Sequence, residues 1–129
     1  MRTLQRILCA DDEPDMRALI KLALENVGHF HVDLCASGRE LLDNIDLCKP
    51  DMVLLDYIMP AMDGMGVMQQ LQRRADCHRI PVVFMTGSST QSDIDRMKMA
   101  GAAGVIAKPF DPMTLSEALV KIWDDVNHE

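Results

Sequence analysis

Short apolar runs alternate with amphipathic stretches along the chain. Arg6-Ile7-Leu8-Cys9-Ala10 reads as a strand and breaks off at Asp11-Asp12-Glu13-Pro14. The next segment puts Leu19, Ile20, Ala23, Leu24 and Val27 on one helical face, with Gly28 as its expected stop. Phe30 to Cys35 is a second strand-like run. Ser37-Gly38-Arg39-Glu40 then forms a capping box, in which hydroxyl and carboxylate each satisfy an orphan amide, and Leu41, Leu42 and Ile45 face inward behind it. Met52-Val53-Leu54-Leu55 is uninterrupted and apolar, as a strand covered on both faces should be. It ends at Asp56.

Pro60 and Gly64 punctuate the adjoining loop, and Gly66 to Ala75 is predicted helical. Pro81 to Met85 forms a fourth strand ending at Thr86-Gly87-Ser88, and a weaker helix runs from about Ser92 to Ala100. Gly101 stops it, and Ala103 to Ala107 is the fifth strand. Lys108-Pro109-Phe110-Asp111 leads to a last helix. Asp111 suits its N-cap and Pro112 its first position, and Leu115, Leu119, Ile122 and Val126 form the expected buried stripe. Trp123 and Val120 fall off that stripe.

Five strands alternating with five helices over short loops call for a parallel sheet covered on both faces. With right-handed crossovers, the expected fold is α/β: a flavodoxin-like, doubly wound, five-stranded sheet of order 2-1-3-4-5. Ligand would sit at the carboxyl edge, where strands 1 and 3 diverge. Residues 1–129 read as a single domain, without linker, repeat or low-complexity stretch.

Composition narrows the function. At 129 residues, 48% hydrophobic and 26% charged, the chain is an ordinary globular domain. A net charge of −7 opposes non-specific attraction to nucleic acid or anionic membrane. No apolar run is long enough to span a membrane, and Met1 to Arg6 has no secretory pattern. Cys9, Cys35, Cys48 and Cys77 have no zinc-type spacing; Cys9 and Cys35, inside strand-like runs, read as buried free thiols, which suits a reducing, cytoplasmic compartment. The eleven methionines, including Met59, Met62, Met65 and Met68, read chiefly as gap-fillers in and near the core.

The residues that carry chemistry lie just past the strand ends. Strand 1 delivers Asp11 and Asp12, strand 3 Asp56, strand 4 Thr86 and strand 5 Lys108. Three carboxylates about 4–5 Å apart would repel by roughly 3–4 kcal/mol per pair at an effective dielectric near 20. A hard, oxygen-liganded cation such as Mg²⁺ (or Mn²⁺) would offset that repulsion and suits phosphoryl chemistry. Asp56 is then a carboxylate nucleophile, Lys108 and Thr86 partners for phosphoryl oxygens, and Gly87 room for backbone amides to approach. Each residue alone is unremarkable; their joint placement at successive strand ends is not.

The motifs Ala10-Asp11-Asp12-Glu13-Pro14, Leu54-Leu55-Asp56-Tyr57-Ile58-Met59-Pro60-Ala61-Met62-Asp63-Gly64, Met85-Thr86-Gly87 and Gly101 to Phe110 resemble, in order and spacing, the CheY-like receiver domain of bacterial response regulators. The resemblance covers essentially the whole chain. It implies that Asp56 is the phosphoacceptor, that Asp12 binds Mg²⁺ directly and Asp11 largely through water, and that the Ile58 carbonyl adds a ligand. It implies a cis Lys108-Pro109 bond, a phosphoryl donor that is a sensor histidine kinase or histidine phosphotransfer protein, and an unidentified downstream protein. Ile58 and Ser88 stand where the family tunes acyl-phosphate hydrolysis. One position departs: Val105 stands where receivers commonly carry an aromatic switch residue. Output is therefore expected through the loops around Asp56, or as a phosphate sink.

Other readings fit less well. A flavodoxin needs a hydroxyl- and glycine-rich loop where Asp11-Asp12-Glu13 stand. Gly64-Met65-Gly66 comes after the wrong strand for a dinucleotide fingerprint, and Ile58 occupies the place of the second aspartate of a haloacid-dehalogenase-type phosphatase. The acidic end, Asp124, Asp125 and Glu129, does not suit a DNA-binding module. The expectation is a signalling switch rather than a turnover enzyme, with an Asp56 phosphoryl group it can itself hydrolyse.

Overall fold

The computed structural model describes residues 3–87 and 90–127. Strands β1 (Arg6–Ala10), β2 (His31–Cys35), β3 (Met52–Asp56), β4 (Val82–Thr86) and β5 (Gly104–Ala107) pair in parallel in the order β2-β1-β3-β4-β5, as the alternation of elements requires. The β3 and β4 side chains are buried along their whole length, which is why those stretches read as unbroken apolar runs.

Register assigns the strand residues to two cores. Leu55, Phe84 and Val105 are lateral neighbours. Leu8, Val53, Leu55 and Phe84 pack on Leu41, Leu42 and Ile45 of α2 (Gly38–Cys48) and on Val67, Met68 and Leu71 of α3 (Gly64–Gln72). On the other face Ile7, Cys9, Leu54 and Met85 pack on Ile20 of α1 (Pro14–Lys21) and on Leu115, Leu119 and Trp123 of α5 (Leu115–Asn127). Each fully buried aliphatic side chain contributes about 1.5–3 kcal/mol. Met59 and Met68 are buried and Met62 and Met65 pack against them, the gap-filling role expected.

Helices α2, α3 and α4 (Gln91–Met99) each start on a side-chain cap. The Ser37 hydroxyl accepts from the Glu40 amide at 3.1 Å, and the Glu40 carboxylate accepts from the Ala36 amide at 3.2 Å. Asp63 accepts from the Gly66 amide at 2.9 Å, so α3 begins two residues earlier than its apolar spacing suggests and ends at Gln72. Thr90 caps α4.

Three features depart from expectation. Helix α1 passes into a π-helical segment, Leu22–Val27, before the run stops at Gly28 as expected, the Gly28 amide donating to the Ala23 carbonyl at 3.3 Å. The left-handed turn beyond it belongs to His29, at φ 60°. Gly28 is required for a different reason: a Cβ there would overlap the Ser116 hydroxyl, which donates to the Ala23 carbonyl at 3.0 Å. Secondly, Asp111 opens a turn, accepting from the Met113 amide at 2.8 Å, and α5 proper starts only at Leu115. Thirdly, the buried stripe of α5 ends on Trp123 rather than on Val126. Trp123 is in the core at 4% exposure, whereas Val126 is 46% exposed.

Candidate functional site

At the carboxyl edge of the sheet, the ends of β1, β3 and β5 bring four charged residues together. Asp11 is wholly buried and Asp56 nearly so, while Asp12 is exposed. One carboxylate oxygen from each lies within 4.8 Å of the others. The Lys108 ammonium sits between the two buried acids, 3.0 Å from Asp11 Oδ2 and 3.2 Å from Asp56 Oδ2.

This crowding shows in the titration of the groups. Burial raises the Asp56 pKa most, Lys108 opposes the rise, and the Asp11 charge adds to it; the net shift is upward. For Lys108, burial lowers the pKa, but the bond to Asp11 and the charges of Asp11 and Asp56 outweigh it, so the ammonium is retained above its ordinary range.

Asp11 is held at every polar atom. Its amide donates to the Cys35 carbonyl of β2 at 3.1 Å, and its Oδ1 accepts from the Glu13 amide at 2.9 Å. Its carbonyl accepts from Arg17 Nη1 of α1 at 2.7 Å. The Asp56 Oδ1 accepts a long bond, 3.4 Å, from the Ile58 amide, and the Ile58 side chain is 73% exposed. Gly64 must lack a side chain here, because a Cβ would lie 2.7 Å from the Asp56 carbonyl oxygen.

Thr86 closes β4, buried, its carbonyl accepting from the Lys108 amide at 2.8 Å. Gly87 comes next, at the surface, with open space where a side chain would be. The Lys108-Pro109 peptide is cis. Val105 is half-buried against the α2–α3 core, beside Phe84. The aromatic nearest Asp56 in sequence is Tyr57, edge-on to Phe84 with ring centroids 5.3 Å apart. Ser88 lies outside the described residues. Arg17 was not anticipated from the sequence. Its signal was faint: a cation near the start of a helix, where the macrodipole disfavours one.

The donor set is all oxygen, two of its three acids are withdrawn from water, and their mutual repulsion favours a hard divalent cation over a soft or nitrogen-liganded one. The four thiols are free. Burial, then Glu40, pushes Cys35 up to about 12, so it stays protonated.

A doubly wound sheet of this order belongs to the open α/β domains that bind ligand at the carboxyl ends of their strands, where these acids and Lys108 stand. Comparison with known proteins is more specific. The model of the response regulator receiver domain matches residues 7–120, and the chain belongs to that family. It is 36% identical over 115 residues to response regulator Rre1 of Synechocystis, a match covering 89% of this chain and 49% of the relative. It is 31% identical to a probable transcriptional regulator ycf27 of Guillardia theta, over 89% of this chain and 44% of that one. The chain thus spans about half the length of the curated relatives it matches. Among solved structures, the chemotaxis response regulator CheY4 of Vibrio cholerae superposes with a TM-score of 0.85 at 27% identity, covering 93% of this chain and 99% of the other. A signal receiver domain of a histidine kinase from Syntrophus aciditrophicus gives 0.81 at 29% identity, over 97% and 94%. The chain is therefore a receiver domain, a signalling switch of two-component systems. No helix among the described residues is long and apolar enough to cross a membrane.

Proposed function

We propose that residues 1–129 act as one receiver unit in which Asp56 accepts a phosphoryl group from a phosphohistidine. The donor would be carried by a sensor histidine kinase or a histidine phosphotransfer protein in the cytoplasm. The observation that carries this reading is Lys108 bridging two buried aspartates, with a third within 4.8 Å, at the carboxyl edge of a parallel sheet.

Asp12, Asp56, the Ile58 carbonyl and, through water, Asp11 would hold Mg²⁺ (or Mn²⁺). When bound, that ion supplies charge neutralisation for the phosphoryl oxygens. An Asp56 carboxylate oxygen attacks phosphorus, the P–N bond breaks as the P–O bond forms, and the bonding electrons return to the imidazole nitrogen. The ring leaves neutral when its other nitrogen carries a proton. Lys108 transfers its pairing from the carboxylates to a phosphoryl oxygen, the Thr86 hydroxyl holds another, and Gly87 leaves the approach open. Hydrolysis reverses the state: water attacks phosphorus, the bond from phosphorus to the Asp56 oxygen breaks, and inorganic phosphate and the Asp56 carboxylate are released, with exposed Ile58 at the mouth restricting access.

Without an aromatic at Val105, the surface change reaches protein partners through the loop Tyr57–Asp63 rather than through β5. Net charge of −7 argues against nucleic acid as that partner. Intact mass after exposure to acetyl phosphate tests the nucleophile. One phosphoryl group should be gained, only with Mg²⁺, and lost in Asp56→Asn. An adduct that persists in Asp56→Asn would reject the assignment.

A further inference from the structure

Arg17 is the fourth residue of α1, at the end where unpaired amides already concentrate positive charge. A guanidinium there is disfavoured unless it has something to do. It is half-buried, and Nη1 lies 2.7 Å from the carbonyl oxygen of Asp11. That oxygen belongs to the peptide joining Asp11 to Asp12. Because the peptide is planar, fixing its oxygen fixes the plane from which the Asp12 Cα departs.

The Asp11 side chain has its own anchors, the Glu13 amide and Lys108. Asp12 is exposed, and its direction depends on the peptide plane that precedes it. We infer that Arg17 is a positioning residue: it holds the Asp11–Asp12 peptide so that both carboxylates face a divalent cation together. This rests on the reading of the site as a metal-dependent phosphoryl acceptor.

Charge and geometry predict opposite signs, so the idea is open to a clean test. A guanidinium near a cation site repels the cation, and by charge alone its removal would tighten Mg²⁺ binding. By geometry, its removal frees the peptide and weakens binding on the order of tenfold, the usual scale when a residue orienting a ligand is lost.

Isothermal titration of the whole chain with MgCl₂ would compare wild type, Arg17→Ala and Arg17→Lys, with thermal unfolding monitored by Trp123 fluorescence as the control for folding. The expected result is about tenfold weaker binding for Arg17→Ala at an unfolding temperature near wild type, with Arg17→Lys between the two. Equal or tighter binding by Arg17→Ala overturns the inference. Should Arg17→Ala fail to fold, Arg17→Lys decides: weaker binding than wild type supports positioning, and an unchanged Kd overturns it. Wild type without saturable Mg²⁺ binding would instead reject the metal site itself, and the inference with it.

Discussion

Two acidic clusters occupy opposite edges of this molecule, and each could bring three ligand atoms within 4.8 Å: Asp11, Asp12 and Asp56 at the carboxyl edge, and Asp46, Asp76 and Cys77 towards the amino edge. Their surroundings differ. Asp46 and Asp76 are exposed, and water screens their repulsion to about 1 kcal/mol. The buried thiol of Cys77 donates a long contact, 4.0 Å, to Asp76, and burial, then Asp76, pushes its pKa up, so it remains protonated. At the carboxyl edge two acids are buried, their repulsion is several-fold larger, and Lys108 is held between them. Proximity of acids is common to both. Burial with a compensating cation makes one of them chemically poised.

The largest expected contrast is in Mg²⁺ binding. Asp12→Asn should remove saturable binding in calorimetric titration, whereas Asp46→Asn should leave the Kd within error of wild type. Equal losses from both would erase the distinction between the edges.

Next in size is the lysine. Lys108→Met strands two buried carboxylates and should cost about 2–3 kcal/mol at neutral pH, the lower side of what unpairing a buried charge costs, because Asp56 can take up a proton. Linkage sets the sign with pH. Folded Asp56 holds its proton to higher pH than the unfolded chain does, so its contribution favours the fold at low pH and is lost as pH rises from the ordinary carboxylate range through the raised value. The raised Lys108 pKa favours the fold below the lysine range and is lost above it; because that gain comes from the charges of Asp11 and Asp56, it also fades at low pH as Asp56 takes up its proton. In urea titrations the cost of Lys108→Met should therefore shrink as pH falls towards about 4, the ordinary carboxylate range. A pH-independent cost would mean that Lys108 matters for packing rather than charge.

The smallest effect concerns backbone strain. Ala61, in the loop beyond Asp56, has φ 68°, where an L side chain is disfavoured. Ala61→Gly should raise stability by about 0.5–1 kcal/mol in the same titrations, the left-handed penalty less the added entropy of the unfolded glycine. A loss of stability would show that the loop holds the methyl group favourably.

Much of this was legible in sequence because it is local. Strand-end Asp56 was legible because an apolar run ends there, and the Ser37 cap because capping acts over three residues. The last helix was harder to read. Ile122 and Val126 offered as good a 3.6-residue stripe as Trp123, and the choice was made by packing against the sheet, which takes in Trp123 and Ile122 and leaves Val126 exposed. Gly28 does end the helical run, but the left-handed residue is His29, and the need for a glycine comes from Ser116 on a distant helix.

Periodicity and punctuation by themselves determined the element order, the parallel sheet and the identity of Asp11, Asp12, Asp56, Thr86 and Lys108 as residues delivered to one edge. Only the tertiary structure decided how Lys108 divides itself between two aspartates, that Asp11 is fully enclosed while Asp12 is open, and that Arg17 reaches back to the peptide between them. Local patterns come from interactions a few residues long, which composition and spacing record. The balance of charge, burial and orientation at the site depends on groups up to 97 residues apart, whose distances exist only once the sheet has closed.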